Sequence, residues 1–157
     1  MANGNIYDGQ WIDGLKNGRG VYLDAATRVI YSGEWKEGKK DGQGYLKMSD
    51  KEYYYGTFNK SVKEGFGVEV FVNGDKYKGE YKSGKFNGKG KYTWSNGSCY
   101  EGQFVEGVRQ GQGSWKSAKD NGDIYIGTYE GDKKNGYGRY VWANGCVYEG
   151  GFSNDVK

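Results

Sequence analysis

Tyrosine and glycine alternate with polar residues along most of the chain. The stretch 77–97 reads YKGEYKSGKFNGKGKYTWSNG, with Tyr or Gly at every second position of 77–81 and of 88–92. Because successive side chains of a strand point to opposite faces, this alternation predicts two strands with one aromatic and glycine face and one polar face. Asn87-Gly88 lies between the runs and predicts the hairpin connection.

The same unit recurs along the whole chain. Tyrosines at intervals of 23 to 25 residues begin each unit, at Tyr7, Tyr31, Tyr54, Tyr77, Tyr100, Tyr125 and Tyr148. A period of this length is typical of a repeat array. We therefore predict a single array over residues 1–157, with six full hairpins (7–147) and one additional arm (148–157). The third repeat diverges at Ser61 and Glu69, which indicates either a weak joint or a specialised contact.

Placing the arms side by side predicts the register of the sheet. If Tyr7 pairs with Tyr22, then Gly9 lies opposite Gly20, and the pattern continues as an unbroken glycine row across all arms. We also expect the second aromatic of each first arm to face the first glycine of the second arm, as Trp11 faces Gly18. Aromatic rings in the neighbouring rows are expected to cover the glycines. The predicted fold is all-β: an elongated, single-layer antiparallel sheet, solenoid-like and built from tandem hairpins, with an aromatic and glycine groove.

The composition supports an aromatic core. The chain has 16 Tyr, 6 Phe and 5 Trp, and its 30 Gly with no Pro suit tight turns and uninterrupted ladders. No run of 18 apolar residues is present, and we expect a cytoplasmic protein. The net charge of +3 is modest, and no aromatic and basic interleaving follows a strand, so nucleic acid is not an expected partner.

No set of residues predicts catalysis. The chain has no His, which excludes Ser-His and Cys-His dyads, and its 2 Cys cannot build a zinc site. The Gly-x-Gly pairs lack the phosphate-loop spacing and open no helix. Recurring acids such as Glu34 and Glu80 are interpreted as solvated cross-strand partners of lysine. We predict no enzyme, no cofactor and no metal site.

The aromatic groove is the first candidate binding surface. It would hold a helix or an extended peptide of a partner protein, because exposed apolar area commonly marks a partner site. Phe71, Trp94 and Trp142 vary between repeats and are the predicted anchors, although these rings could equally extend the core. The predicted groove residues are Tyr7, Trp11, Tyr31, Trp35, Phe58, Phe71, Tyr81, Trp94, Phe104, Trp115, Tyr129 and Trp142.

Two further surfaces are candidates. Basic residues near the expected turn tips would form a basic edge suited to anionic phospholipid headgroups. The first and last arms, 7–11 and 148–152, would be open sheet edges available for self-association or for strand pairing with a partner. The predicted basic edge consists of Lys16, Lys40, Lys63, Lys85, Arg109 and Lys134.

The repeated pattern resembles a known family. Tyr-x-Gly-x-aromatic followed by Gly-x-Gly-x-aromatic, from Tyr7 to Phe152, is similar to the MORN (membrane occupation and recognition nexus) repeat. Members are single sheets built of hairpins, and most are scaffolds in cytoskeletal, ciliary and membrane-contact assemblies. The resemblance implies a non-catalytic, cytoskeleton-associated scaffold or, alternatively, a membrane-contact module. The position where family turns often carry His holds Asn17, Asp41, Glu64, Asn87, Gln110 and Asn135.

Overall fold

Residues 4–157 form thirteen strands of an antiparallel sheet, and consecutive strands pair in chain order within each run of hairpins. The computed structural model describes residues 4–157, and within them there is no helix. The predicted all-β fold of tandem hairpins is therefore confirmed. The strands are β1 (Ile6–Ile12), β2 (Leu15–Leu23), β3 (Ile30–Lys36), β4 (Lys39–Lys47), β5 (Tyr53–Asn59), β6 (Val62–Val70), β7 (Lys76–Lys82), β8 (Lys85–Thr93), β9 (Cys99–Val105), β10 (Val108–Lys116), β11 (Ile124–Glu130), β12 (Lys133–Val141) and β13 (Val147–Phe152).

The chain divides into two compact units. Unit 1 contains the chain up to Gly74 together with Tyr81–Gly84, and unit 2 contains Asp75–Glu80 and Lys85–Lys157. Each unit carries its own run of hairpins, and every contact described below lies within one of them. The face that carries the repeating tyrosines is called the aromatic face of each unit.

The register between hairpins is the predicted one. Strand β2 pairs with β3 so that Tyr22 lies opposite Tyr31 and Gly18 lies opposite Trp35. Within a hairpin, the prediction is wrong beyond the glycine pair. Trp11 pairs with Lys16 and not with Gly18, because β2 bulges between the glycine pair and the turn.

The hairpin turn does not lie at the Asn-Gly pair where the sequence predicted it. The first hairpin turns at Asp13-Gly14, where both residues have positive φ (50° and 73°), the geometry of a two-residue hairpin loop that matches strand twist. Asn17-Gly18 forms the bulge, and Gly18 takes the left-handed conformation with φ of 70°. Equivalent register shifts occur in the hairpins β3–β4, β5–β6, β9–β10 and β11–β12.

Side chains on the second face cap the amides that the bulges leave out of the ladder. The Gln10 Oε1 atom accepts a hydrogen bond from the Arg19 amide at 2.8 Å. Glu34 and Glu80 accept equivalent bonds at 3.3 Å from the amides nine residues ahead. These two glutamates therefore stabilise the bulges, a role that the sequence did not predict.

The repeating tyrosines form the core of both units. Each donates its hydroxyl hydrogen to the carbonyl oxygen three residues ahead, at 2.8 to 3.0 Å. The ring then covers the glycine of the next strand: a Cβ atom at Gly113 would lie 2.4 Å from the Cε2 atom of Tyr100. Neighbouring rings meet edge to face, as between Tyr100 and Phe104 at 5.2 Å. The rings thus replace the side chains that the glycine row lacks.

Candidate interaction surface

The predicted groove residues separate into a buried and an accessible set. Six are core residues and cannot contact a partner without unfolding: Tyr31, Trp35, Phe58, Tyr81, Phe104 and Tyr129. The other six are at least partly accessible on the aromatic faces: Tyr7, Trp11, Phe71, Trp94, Trp115 and Trp142. The predicted anchors Phe71, Trp94 and Trp142 all belong to the accessible set. Their role in binding remains a prediction.

One accessible tryptophan lines a cavity of unit 2. The cavity has a volume of about 370 Å³ and is lined by Phe86, Tyr92, Trp94, Phe104, Gly107, Arg109 and Asp132. The Trp94 ring lies 5.0 Å from the Tyr92 ring. The Trp94 backbone is fixed by a tight connection, since its amide donates to the Ser98 carbonyl and its carbonyl accepts from the Gly97 amide, both at 2.9 Å. These bonds hold the backbone from which the indole reaches the cavity.

A single cation stands at the side of this cavity. The Arg109 guanidinium lies 5.7 Å from the Trp94 ring and 5.0 Å from the Tyr129 ring. Its Nε atom is 3.2 Å from the Asp132 Oδ1 atom, and Asp132 belongs to the next hairpin turn. The guanidinium has five N–H donors, so it can bind a carbonyl or carboxylate while it keeps this ion pair.

The predicted basic residues do not form an edge of turn tips. Lys16, Lys40, Lys63, Arg109 and Lys134 lie inside strands, where each side chain shares the aromatic face of its unit. The prediction was wrong because it placed each turn at the Asn-Gly position, whereas the turns lie about four residues earlier, as at Asp13-Gly14. Lys85 alone follows a turn directly, and it forms an ion pair at 2.8 Å with Glu106. The turns themselves are mixed: Asp13-Gly14, Glu37-Gly38, Lys60-Ser61, Ser83-Gly84, Glu106-Gly107 and Gly131-Asp132.

The lysines of unit 1 lie among aromatic rings. The Lys16 Nζ atom is 4.0 Å from the Tyr22 ring centroid and 4.7 Å from that of Trp35. Lys40 Nζ is 5.2 Å from the Tyr31 centroid. Burial lowers the pKa of both ammonium groups, and the like charges of Lys16 and Lys63 lower the pKa of Lys40 further. Lys16, Lys40 and Lys63 are called the lysine row of unit 1. The row holds partly desolvated positive charges that repel one another.

Glu69, one of the two divergent positions of the third repeat, makes internal contacts on the aromatic face. Its side chain is buried on the aromatic face, where other repeats carry an aromatic or leucine. It forms an ion pair with Lys63 and accepts a hydrogen bond from the Tyr81 hydroxyl at 2.7 Å. Glu69 is thus a specialised internal contact, and it neutralises one lysine of the row.

The second face of unit 1 carries an apolar patch that the repeat-four pattern did not predict. Tyr55 and Phe66 are 56% and 54% exposed, and the rings of Tyr45 and Tyr53 lie 5.7 Å apart. An open depression of about 510 Å³ adjoins Tyr45 and Tyr55. The signal was present in the sequence, because repeats two and three place Tyr, Phe and Val at positions where repeat four places Lys.

Within residues 4–157, no group of three or more Cys, Asp or Glu side chains could hold a metal ion. In the same part of the chain, no helix is long and apolar enough to cross a membrane. At the sheet margins, β1 pairs with β2 and β13 pairs with β12, and the proposed pairing of these outer strands with another chain stays a prediction.

Comparison with known proteins identifies the repeat and one structural neighbour. The MORN repeat family model matches residues 7–25, 31–51, 54–76, 77–99, 100–121 and 125–147. No curated protein matches the chain at a significant level. Among solved structures, the chain is similar to the SAS-4 (dCPAP) TCP domain of Drosophila melanogaster, solved in complex with a proline-rich motif of Ana2 (dSTIL). The two share 13% identity and a TM-score of 0.53, over 96% of this chain and 80% of that one. At this identity the likeness shows the fold alone.

Proposed function

This chain belongs to the MORN repeat family, and from that premise we propose that it is a non-catalytic scaffold that holds an extended segment of a partner protein against its aromatic face. The observation that carries the proposal is the Trp94 cavity of unit 2, where a partly exposed indole and a guanidinium line one pocket. Trp and Arg are the residue types most often found at the energetic centre of protein interfaces.

The size and chemistry of the cavity favour an extended segment. A volume of about 370 Å³ lies at the small end of the range for ligand pockets, so it accommodates one or two side chains. The ring faces would receive an apolar side chain, and Arg109 would bind a carbonyl or carboxylate of the same segment. The structural neighbour, which was solved with a proline-rich motif, supports a peptide as the partner.

The assembly in which the scaffold acts is proposed from the family alone. MORN repeat proteins are mostly scaffolds, and a cytoskeletal or ciliary complex is the setting that the resemblance implies. We therefore propose an association with the cytoskeleton in the cytoplasm. The alternative of a membrane-contact module loses its geometrical support, because no row of lysines occupies the turn tips of the described hairpins.

Affinity purification with matched variants tests this proposal. The tagged wild type, Trp94→Ala, Arg109→Gln and the control Tyr137→Ala would be purified from the native cells at moderate salt. Tyr137 is 65% exposed on the second face of unit 2, so its truncation leaves the Trp94 cavity intact. We expect one or two proteins in near-equal amounts with the wild type and the control, and their loss with the two cavity variants.

Circular dichroism spectra establish whether the cavity variants are folded. Arg109→Gln removes the charge without opening the aromatic cluster, so it remains informative if Trp94→Ala unfolds. Equal recovery of the same partner by all folded variants would show that the cavity is not the binding site. Recovery of membrane lipid without a stoichiometric protein would overturn the scaffold proposal in favour of membrane contact.

A further inference from the structure

The lysines of unit 1 are spaced by the hairpin repeat. Lys16 and Lys40 occur once per hairpin, and each lies beside the turn of the following hairpin. The Gly38 amide donates to the Lys16 carbonyl at 2.9 Å, and the Ser61 amide donates to the Lys40 carbonyl at 2.7 Å. The strands are therefore hydrogen-bonded at these positions. Two strands at about 4.8 Å each place the two lysines about 9.6 Å apart across the sheet.

Two of the three cations in this row lack a counter-charge. Glu69 pairs with Lys63, but among the described residues Lys16 and Lys40 have no carboxylate within ion-pair distance and no acceptor for their ammonium hydrogens. Their contacts are with ring faces. Each ammonium has three N–H donors, and burial and mutual repulsion lower the pKa of Lys40. An anion that binds both groups would relieve the repulsion and satisfy the donors.

The distance between the two lysines favours one conformation of a peptide that carries two such anions. A polyproline II helix repeats every three residues with a rise of about 3.1 Å, so side chains on one face recur every 9.3 Å, roughly the lysine spacing. In a β-strand, residues three apart point to opposite faces. In an α-helix, the nearest equivalent positions are seven residues and about 10.5 Å apart. Aromatic-lined grooves also suit polyproline II segments.

We propose that the aromatic face of unit 1 binds a polyproline II segment of a partner protein that carries Asp or Glu at two positions three residues apart, with the carboxylates on Lys16 and Lys40. The inference rests on the proposed function and names the chemistry of the bound segment. Glu69 neutralises the next lysine of the row, so the residue three positions further along the segment is uncharged. The recognition pattern is therefore two acids and, on the Lys63 side, a neutral residue, at intervals of three and in either chain direction.

Fluorescence anisotropy with synthetic peptides tests the inference. The probe is a labelled peptide with two Asp three residues apart in a polyproline sequence. Its matched peptides place the two Asp two residues apart, or replace both with Asn. We expect each matched peptide to bind the full chain at least about tenfold more weakly, because each loses a charge-assisted contact. Affinity for the probe should fall as salt is raised.

Protein variants separate the lysine row from general surface charge. Lys16→Gln with Lys40→Gln should weaken binding of the probe at least about tenfold. Lys36→Gln with Lys39→Gln removes the same charge from exposed positions on the second face, next to the same turn, and should leave affinity unchanged. Equal binding of all three peptides, or an equal effect of both variant pairs, would overturn the inference.

The membrane alternative and the proposed function have separate outcomes. Binding to phosphatidylserine vesicles that depends on Lys16 and Lys40, without binding of the probe peptide, would assign the row to lipid and overturn the inference. If the peptide fails while the cellular partner is still lost with Trp94→Ala, the inference is wrong and the proposed function stands. If the peptide binds as expected but the partner is recovered equally with Trp94→Ala, then the Trp94 cavity is not the binding site and the lysine site is supported.

Discussion

Adding one methyl group at Gly102, in the glycine row of unit 2, should strongly destabilise the folded sheet. In Gly102→Ala, the new Cβ atom would lie 2.5 Å from the Gly113 Cα atom, 2.6 Å from the Gln112 carbonyl oxygen and 2.5 Å from the Tyr100 hydroxyl oxygen. Ordinary contacts of a Cβ atom begin near 3.4 Å, so the overlap is about 0.9 Å. Two of the three atoms belong to the backbone of β10 and cannot rotate away. Strands β9 and β10 must therefore move apart, and the Tyr100 hydroxyl must also move away from position 102.

The expected loss follows from what must move. Overpacking of a core costs about 1–3 kcal/mol, and displacement of a buried aromatic ring approaches the 3–5 kcal/mol of an aromatic-to-alanine change. We expect a free energy of unfolding at least about 3 kcal/mol lower. For a chain of this size, that corresponds to a melting temperature lower by roughly 6–12 °C. Urea denaturation followed by tyrosine and tryptophan fluorescence and by circular dichroism measures the loss.

Gly151→Ala is the matched control. Gly151 lies in β13, has no heavy atom within 4 Å of its virtual Cβ position, and is not in the left-handed region. Its substitution should change the free energy of unfolding by no more than about 0.5 kcal/mol. Similar stabilities for the two variants would refute the argument that the close approach of the neighbouring backbone and ring, and not strand flexibility, requires glycine at position 102.

Two further predictions concern polar groups of unit 2. Tyr125→Phe removes a hydrogen bond of 2.9 Å to the Thr128 carbonyl and should lower the free energy of unfolding, measured by urea denaturation, by about 1 kcal/mol. Tyr129→Phe removes a buried hydroxyl that has no hydrogen-bond partner among the described residues. This second change should leave the free energy of unfolding unchanged or raise it. A larger loss for Tyr129→Phe would contradict this. Hydrogen bonds from the Tyr140 hydroxyl and from a backbone amide hold the pKa of Asp123 below its usual range. The contribution of Asp123 to folding stability is therefore present above about pH 4 and is lost as pH falls through the folded pKa. Asp123→Asn should therefore lower stability at neutral pH and flatten its decline in acid titrations; an unchanged acid profile would argue against the role.

The candidate site was only partly predictable from the sequence. The accessible tryptophans follow from their variation between repeats, and Trp94 does line a cavity. The buried state of Trp35 and Phe58 did not follow, because the alternation assigns a residue to a face but does not show how deeply neighbouring rings cover it. The patch around Tyr55 was missed because one repeat was taken to represent the polar face of all repeats.

The sequence by itself determined the number of hairpins, the order of the strands, the glycine row and the face of the repeating tyrosines. These features depend on local rules: a strand alternates its side chains, and a repeated segment repeats its structure. Only the tertiary structure decided where each hairpin turns. Asn17-Gly18 and Asp13-Gly14 both accept positive φ, and local preference does not rank them. The folded sheet favours the observed turn, because in it Gln10 caps the bulge and Lys16 reaches the rings of Tyr22 and Trp35. That choice moved the lysines from the turn tips to the aromatic face.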